Sequence, residues 1–259
     1  MFIKQVLYKI LGVRNYLLVV SKLFFISYSL GLLKKNKDFD CHYFVKKLLN
    51  KGDYVIDIGA NLGYYSRLFA KLVGPQGRVL SVEPVSLFRK VLNINTSGFK
   101  NTTIIPYALG EKDDIAITMG IPKSNKYLRH GLTRVLENHE NAPSEFTFSE
   151  RMFTPATLFQ NLTRCDFIKC DVEGYEIHII PQIEFLIKPF KPIIQIEIEL
   201  DNRIIIYQFL SRFGYKGYYL SNERLFEVGE NLKEIDSDLF FIPLEKMKIV
   251  EHLIAQINN

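Results

Sequence analysis

The run Val55-Ile56-Asp57-Ile58-Gly59-Ala60-Asn61-Leu62-Gly63 constrains this chain more than any other feature. A short apolar stretch runs into a glycine turn, and helical spacing begins at Tyr64. Gly59 permits a tight turn and close backbone approach, and Gly63 lets the helix start lie near whatever is above it. Free N–H groups at that helix end favour an anionic or carboxylate group. Twenty-four residues past Gly59 a second apolar run, Arg78–Val82, ends at Glu83. An acid there accepts hydrogen bonds from both hydroxyls of a ribose. The pattern implies a nucleoside-containing ligand at the first βα corner.

The alternation continues. Helical spacing covers Ser86–Asn95, and Thr102–Pro106 reads as a third strand. Phe167–Cys170 and Pro192–Ile198 read as a fourth and a fifth, with helices over Tyr175–Ile187 and Arg203–Phe213. Strands alternating with helices argue for a parallel α/β sheet covered on both faces. Tyr215–Leu220, Arg224–Val228 and Asp238–Ile242 have no helix between them and read as an antiparallel finish, followed by a helix over Glu245–Ile257. A length of 259 residues suits one domain with an appendage. The 115–153 stretch interrupts the pattern. It holds His130, His139 and two prolines, and its strand signal is weak after Thr118. So long a loop in a compact domain is a lid or a binding loop, and it is expected to face the substrate.

Charge is unevenly spread. Residues 1–51 carry ten Lys/Arg against two Asp, a net of +8, while residues 52–259 carry a net of −3. The body is therefore not a nucleic-acid-binding surface. Residues 2–33 are apolar enough to raise a membrane span, but Lys4, Lys9, Arg14 and Lys22 interrupt them. The charge-free run after Lys22 is only eleven residues, Leu23–Leu33, against the roughly 20 a span needs. A signal peptide is a poor match, because Lys22 breaks the apolar region and no small-x-small site follows. Two readings remain for 1–51: helices packed on the following domain, or a peripheral contact of residues 1–37 with an anionic membrane. On one continuous helical wheel Lys4 and Lys22 coincide while Lys9 and Arg14 fall far to either side, so no single basic face emerges. Lys34, Lys35 and Lys37 do cluster at the end. Cys41, Cys165 and Cys170 form no C-x-x-C, which fits a reduced, cytoplasmic setting and argues against a cysteine zinc site.

The choice of nucleoside turns on Asp57. A dinucleotide fingerprint wants G-x-G-x-x-G, with a pyrophosphate on the turn. An acid at its mouth would repel phosphates and suit a cationic amine or sulfonium. S-adenosyl-L-methionine (SAM) has both positive groups, a ribose and no phosphate. An NAD(P)-dependent oxidoreductase is the alternative from another enzyme class.

The sequence resembles the FkbM-type family of SAM-dependent methyltransferases. The matching segments are VIDIGANLGYYS at 55–66, SVEP at 81–84, IIPYALGEKDD at 104–114, FIKCDVEGYE at 167–176 and IQIEIE at 194–199. The resemblance covers roughly residues 53–200. It implies the Rossmann-like class I fold: a mostly parallel seven-stranded sheet with an antiparallel C-terminal strand, helices on both faces and, here, a helical N-terminal extension before a methyltransferase domain over 52–259. It implies that Asp57, Gly59, Asn61 and Gly63 hold the methionine part of SAM and Glu83 the ribose. Tyr107, Ala108 and Leu109 would lie near the adenine. Lys169, Asp171 and Glu173 would ring the place of methyl transfer. The family usually has Ile, Asp and Gly where Cys170, Phe159 and Gln182 stand, changes that bear on packing more than on chemistry.

Methyl transfer to a hydroxyl needs alignment and a place for one proton. Asp171, at the end of the fourth strand, suits either task or is satisfied by nearby N–H groups. Lys169 polarises the acceptor or simply pairs with a carboxylate. His130 is a candidate base, and Arg129 and Arg134 are candidates for gripping an acceptor. Glu197 and Glu199 end the fifth strand beside Asp171, yet no ligand spacing calls for a metal. The expected activity is O-methylation of a glycan or secondary metabolite, with a lipid-linked saccharide among the acceptors considered. A methyltransferase-like module without activity is the third reading. The oligomeric state is not legible.

Overall fold

The computed structural model describes residues 2–123, 128–136, 144–228, 232, 235 and 237–255. The chain opens with α1 (Phe2–Ser29), broken at Gly12, whose φ of 67° and ψ of 166° leave the helical region. A turn leads to α2 (Asp40–Phe44), which tightens into a 3₁₀ turn at Val45–Lys47. Phe44, Val45, Leu48 and Leu49 are buried against Tyr65, Phe69 and Phe240. This end of the extension therefore belongs to the core of the following sheet.

The expected alternation then appears: β1 (Tyr54–Ile58), α3 (Tyr64–Val73), β2 (Arg78–Val82), α4 (Ser86–Thr96) and β3 (Thr102–Ile105). The 115–153 stretch departs from expectation. Its described part is largely sheet, β5 (Ile115–Pro122), β6 (Arg134–Val135) and β7 (Ser144–Phe153), which joins β4 (Ala108–Leu109) from just before it in the order β4-β7-β5-β6. Ile115, Ile117, Met119 and Ile121 keep the two-residue period, and Phe146 and Phe148 of β7 stand opposite Ile121 and Met119. Gly120 falls in the middle of that run and blurs its strand signal, having no side chain to pack. His139 lies outside the described residues.

After α5 (Pro155–Phe159) come β8 (Phe167–Cys170), α6 (Glu176–Ile179), α7 (Glu184–Phe190), β9 (Ile193–Ile196) and α8 (Arg203–Ser211). The single helix expected over 175–187 is split, with a 3₁₀ turn at Ile180–Ile183 carrying Pro181 near its start. The chain ends with β10 (Tyr215–Ser221), β11 (Arg224–Glu227), β12 (Leu239–Pro243) and α9 (Met247–Val250), the last much shorter than expected.

The main sheet runs β11-β10-β12-β9-β8-β1-β2-β3. It has eight strands, not seven: β3, β2, β1, β8 and β9 are parallel, and β12, β10 and β11 are antiparallel additions. The extra strand is β11. Asn222 and Glu223 both hold positive φ, the geometry of a two-residue hairpin turn, and fold β11 back on β10. Two apolar layers cover the sheet: Ile56, Ile168, Ile194 and Phe241 face one side, and Val55, Phe167, Ile193 and Phe240 the other. From β1 the chain winds through β2 to β3 in one direction and through β8 to β9 in the other. The carboxyl ends of β1 and β8 thus form the switch point where open α/β sheets bind ligands. All three cysteines are free thiols.

Candidate active site

At the switch point β1 and β8 pair in register, with Asp57 opposite Lys169. Lys169, two residues before Asp171 on the same face, is 3% exposed and donates to Asp171 Oδ2 at 2.8 Å. Burial opposes its charge, but Asp171 and Asp57 more than compensate and hold the ammonium charged, its pKa raised. Its Nζ also stands 4.8 Å from the centre of the Tyr65 ring.

Gly59 makes this approach possible. It sits at φ 78°, and a Cβ there would lie 1.8 Å from the Asp171 carbonyl oxygen. Gly63, at φ 87°, faces Leu92 of α4 instead. It sets the distance between α3 and α4 and does not line the cavity above β1.

That cavity is lined by Asp57, Gly59, Asn61, Glu83, Ala108, Leu109, His130, Lys169, Asp171 and Glu173, among others. Asp57 is fully buried. Its Oδ2 accepts from Ser66 Oγ at 2.5 Å, while its Oδ1 finds no partner among the described residues. Burial raises its pKa above the usual carboxylate range. A cationic ligand group would relieve both the missing bond and the desolvation. Glu83 is fixed from behind: Oε1 accepts from the Val85 N–H and Oε2 from the Asn61 N–H, both at 2.8 Å. Burial pushes its pKa up to about 7. Each oxygen keeps a second lone pair, so the carboxylate can still receive ribose hydroxyls. Ala108 and Leu109 close the apolar side. Tyr107 does not line the cavity; its ring packs on Phe153, centroids 4.6 Å apart. This donor set fits SAM: an orphaned buried carboxylate for the cation, a braced carboxylate for the ribose and an apolar edge for the base.

His130 is held on the cofactor side. Its Nδ1 lies 3.0 Å from Asn61 Oδ1, and its backbone carbonyl accepts from Asn61 Nδ2 at 3.2 Å. Glu173, at positive φ, has its pKa pushed up to about 8 by burial and by Asp171.

A second, larger cavity of about 930 Å³ lies behind the same wall. His42, Tyr65, Lys169 and Asp171 line both. Asp38, Asp40, Glu197, Glu227, Asp238 and Tyr219 complete much of the second. The Asp171 charge, together with burial, pushes the Glu197 pKa up to about 8. Glu199 turns away, its carboxylate lying against Gly174. Arg129 and Arg134 line neither cavity.

Sequence reasoning missed four residues here. His42 of α2 stacks on Tyr65 at 3.9 Å, with Nδ1 buried and without a partner among the described residues. Burial and the Lys169 charge push its pKa down to about 3, so its imidazole is neutral. Gln195 donates to both Tyr65 Oη at 3.0 Å and Asp238 Oδ2 at 2.6 Å. Tyr65 had a signal, since it falls within the 55–66 segment one turn after Asn61. Gln195 had the same kind of signal, lying within the 194–199 segment; His42 and Asp238 had none, because only the packing of α2 and the placement of β12 beside β9 bring them here.

Residues 57–216 match the family model described as the methyltransferase FkbM domain. Over 59 residues the chain is 34% identical to a protein-L-isoaspartate O-methyltransferase of Ignicoccus hospitalis. That stretch is 22% of this chain and spans only 28% of the relative's length. Among solved structures, an FkbM methyltransferase from Methylobacillus flagellatus superposes with a TM-score of 0.48 at 14% identity. The superposition covers 75% of this chain and 44% of that one. A precorrin-6y C5,15-methyltransferase from Geobacter metallireducens gives a TM-score of 0.42 at 17% identity, covering 78% and 86%.

Proposed function

Because the chain belongs to the FkbM methyltransferase family, with SAM as its cofactor, we propose that it methylates a hydroxyl oxygen of a saccharide-like acceptor seated in the second cavity. The observation that carries this reading is the shared wall of His42, Tyr65, Lys169 and Asp171. A group bound on one side meets a group bound on the other only there. The cofactor, when bound, supplies a methyl group on a sulfonium, an electrophile that needs alignment more than activation.

The protein's own residues do the rest. Asp57 receives the cationic end of the cofactor and Glu83 its ribose. Ala108 and Leu109 exclude water from the base. Asp171 accepts the acceptor's hydroxyl proton, and the Lys169 hydrogen bond holds that carboxylate in place in the wall. His130 orders Asn61 on the cofactor side and stays out of the proton transfer. Glu173, with its pKa raised to about 8, is protonated at neutral pH and serves as a donor at the rim. A hydroxyl-rich acceptor is supported by the second cavity's lining, where carboxylates accept hydroxyl hydrogen bonds and Tyr219 offers an aromatic face. The NAD(P) alternative finds no support, since the buried, half-satisfied Asp57 stands where a pyrophosphate would lie.

The test is turnover of purified protein with SAM against panels of oligosaccharides, phenols and amines. Formation of S-adenosylhomocysteine with an alkali-stable methyl ether is expected. An alkali-labile ester or an N-methyl product would refute the hydroxyl reading. Cofactor binding with no S-adenosylhomocysteine over the whole panel would favour an inactive module.

A further inference from the structure

A third cavity, of about 480 Å³, lies between α1 and α3. Lys22, Lys46, Arg67 and Lys71 line it, over a floor that includes Phe24, Phe25, Tyr28, Tyr64 and Phe99. No carboxylate is in its described lining. The cations crowd one another: burial and then the Lys34 charge lower the Lys46 pKa, and Lys71 adds to it. Glu223, the acid that opposes this, is spent on Lys47 at 2.9 Å.

The helix beside this cavity has two faces. Leu17, Ser21, Phe24 and Tyr28 fall within about 60° of one another at about 100° per residue. They form the docked stripe: Leu17 and Ser21 are fully buried, Ser21 Oγ accepts from Asn95 Nδ2 at 2.9 Å, and Phe24 packs on Tyr64. Leu23, Ile26 and Leu30 form the roughly opposite stripe, each more than half exposed, and Leu32 extends it. Lys34, Lys35 and Lys37 follow directly.

By length and composition alone, Ile10–Ser29 is enough to cross a membrane, contrary to the expectation from its charges. Its docked stripe argues for another arrangement. The buried Ser21–Asn95 bond ties the middle of that segment to α4, so the helix lies along the domain.

We propose that α1 seats the enzyme on a bilayer of anionic phospholipid, its Leu23–Ile26–Leu30 stripe entering the interface and the Lys22–Lys46–Arg67–Lys71 cavity holding a lipid phosphate. Charge complementarity selects the occupant, because an acid-free cationic cavity beside an exposed apolar stripe matches a headgroup with its acyl chains attached. His42 lines this cavity as well as the other two, so a bound headgroup sits next to the methyl-transfer wall. The proposal does not depend on the chemistry of the acceptor.

The test is co-sedimentation of the full chain with vesicles of phosphatidylcholine alone or mixed with phosphatidylglycerol. The anionic vesicles are expected to retain the chain and to release it in about 0.5 M salt. Ile26→Glu with Leu30→Glu, and separately Lys46→Glu with Lys71→Glu, should each lower the partition coefficient about tenfold or more. Unchanged melting temperature and cofactor affinity would show that these variants fold. Binding that ignores headgroup charge, no binding to anionic vesicles, or wild-type binding by both variants would overturn the proposal. So would saturation by soluble glycerol phosphate with no gain from vesicles, which would mark a free-anion site. Retention in cell membranes through an alkaline carbonate wash would mean that α1 spans, and would overturn it too.

Discussion

Lys169 Nζ lies 2.8 Å from Asp171 Oδ2, in the wall that separates the two principal cavities. The ammonium is buried while the carboxylate is about one-third exposed, so the pair presents an oriented carboxylate in the wall that both cavities share. Asp171→Asn keeps the shape and removes the proton acceptor. Turnover is expected to fall about 10²–10⁴-fold, with cofactor affinity within about twofold of wild type, since Asp57 and Glu83 still make the cofactor contacts. S-adenosylhomocysteine release and calorimetry measure the two. Full turnover in this variant would remove Asp171 from the chemistry.

Lys169→Met is a different lesion. The ammonium is held among Asp171, Asp57 and Asp238. Removing it leaves carboxylates buried without their cation, which costs about 3 kcal/mol in urea unfolding. Adding Asp171→Asn should restore part of that loss, because the neutral amide no longer needs the cation. A double variant no more stable than Lys169→Met would show that the two side chains are not energetically coupled.

How much of this was legible depends on which residues had to meet. The β1–α3–β2 unit was readable from Val55 to Glu83, because glycine geometry and a strand-end acid are local signals. Asp171 and Lys169 were readable as alternating residues at a strand end. The sheet over 115–153 was not, because Gly120 and Pro122 weaken the strand signal at the end of β5 and its partner β7 begins more than 20 residues later. The second cavity was unreadable for a topological reason. Asp238, Glu197 and His42 come from the residue before β12, the residue after β9 and the N-terminal extension, and no spacing in the chain announces that β12 slots beside β9. The family resemblance gave Tyr107 and Gly63 to the cofactor, but one packs on Phe153 and the other on Leu92.

Asp57→Asn tests the electrostatic basis of cofactor choice. The amide can keep the Ser66 bond and the shape, but it carries no charge for a cationic group. A charge-assisted hydrogen bond contributes roughly 1.5–3 kcal/mol, so cofactor affinity should weaken about 10–150-fold, read by calorimetry. Apo stability should hold or rise, because Asn relieves a buried carboxylate whose Oδ1 is unpartnered. Unchanged affinity would contradict the assignment.

Gly59→Ala places a methyl group 1.8 Å from the Asp171 carbonyl, in a backbone region that L side chains avoid. Positive φ alone costs about 1–3 kcal/mol, and the clash forces β1 and β8 apart at the ligand end. A loss of at least about 2 kcal/mol is expected, together with loss of cofactor binding. Gly74→Ala is the control, since it also has positive φ, at 68°, but nothing lies within 4 Å of its added Cβ. It should lose stability without losing cofactor affinity. Equal effects of the two substitutions on cofactor binding would show that the approach to Asp171 is not what matters.

Stability should depend on pH with two opposed limbs. Glu83 titrates near 7 in the fold and about 4.3 in the unfolded chain. Between those values the native state holds a proton that the unfolded state has lost, so stability falls as pH rises. Glu173, near 8, extends that fall. His42 acts the other way. It titrates near 3 in the fold and about 6.5 unfolded. Below about 6.5 the unfolded state takes a proton that the native state refuses, so stability is lost as pH falls. The His42 and Glu83 windows overlap between about pH 4.3 and 6.5 and oppose each other there, while Glu173 adds to the fall, so calorimetric melting of the apo protein from about pH 3 to 9 should show its maximum near the acid end, at about pH 4. Glu83→Gln should flatten the alkaline limb, by on the order of 3 kcal/mol across its window, and His42→Phe the acid limb. An alkaline limb unchanged in Glu83→Gln would mean that Glu83 is already ionised in the fold, with the Asn61 and Val85 N–H groups offsetting the full cost of its burial.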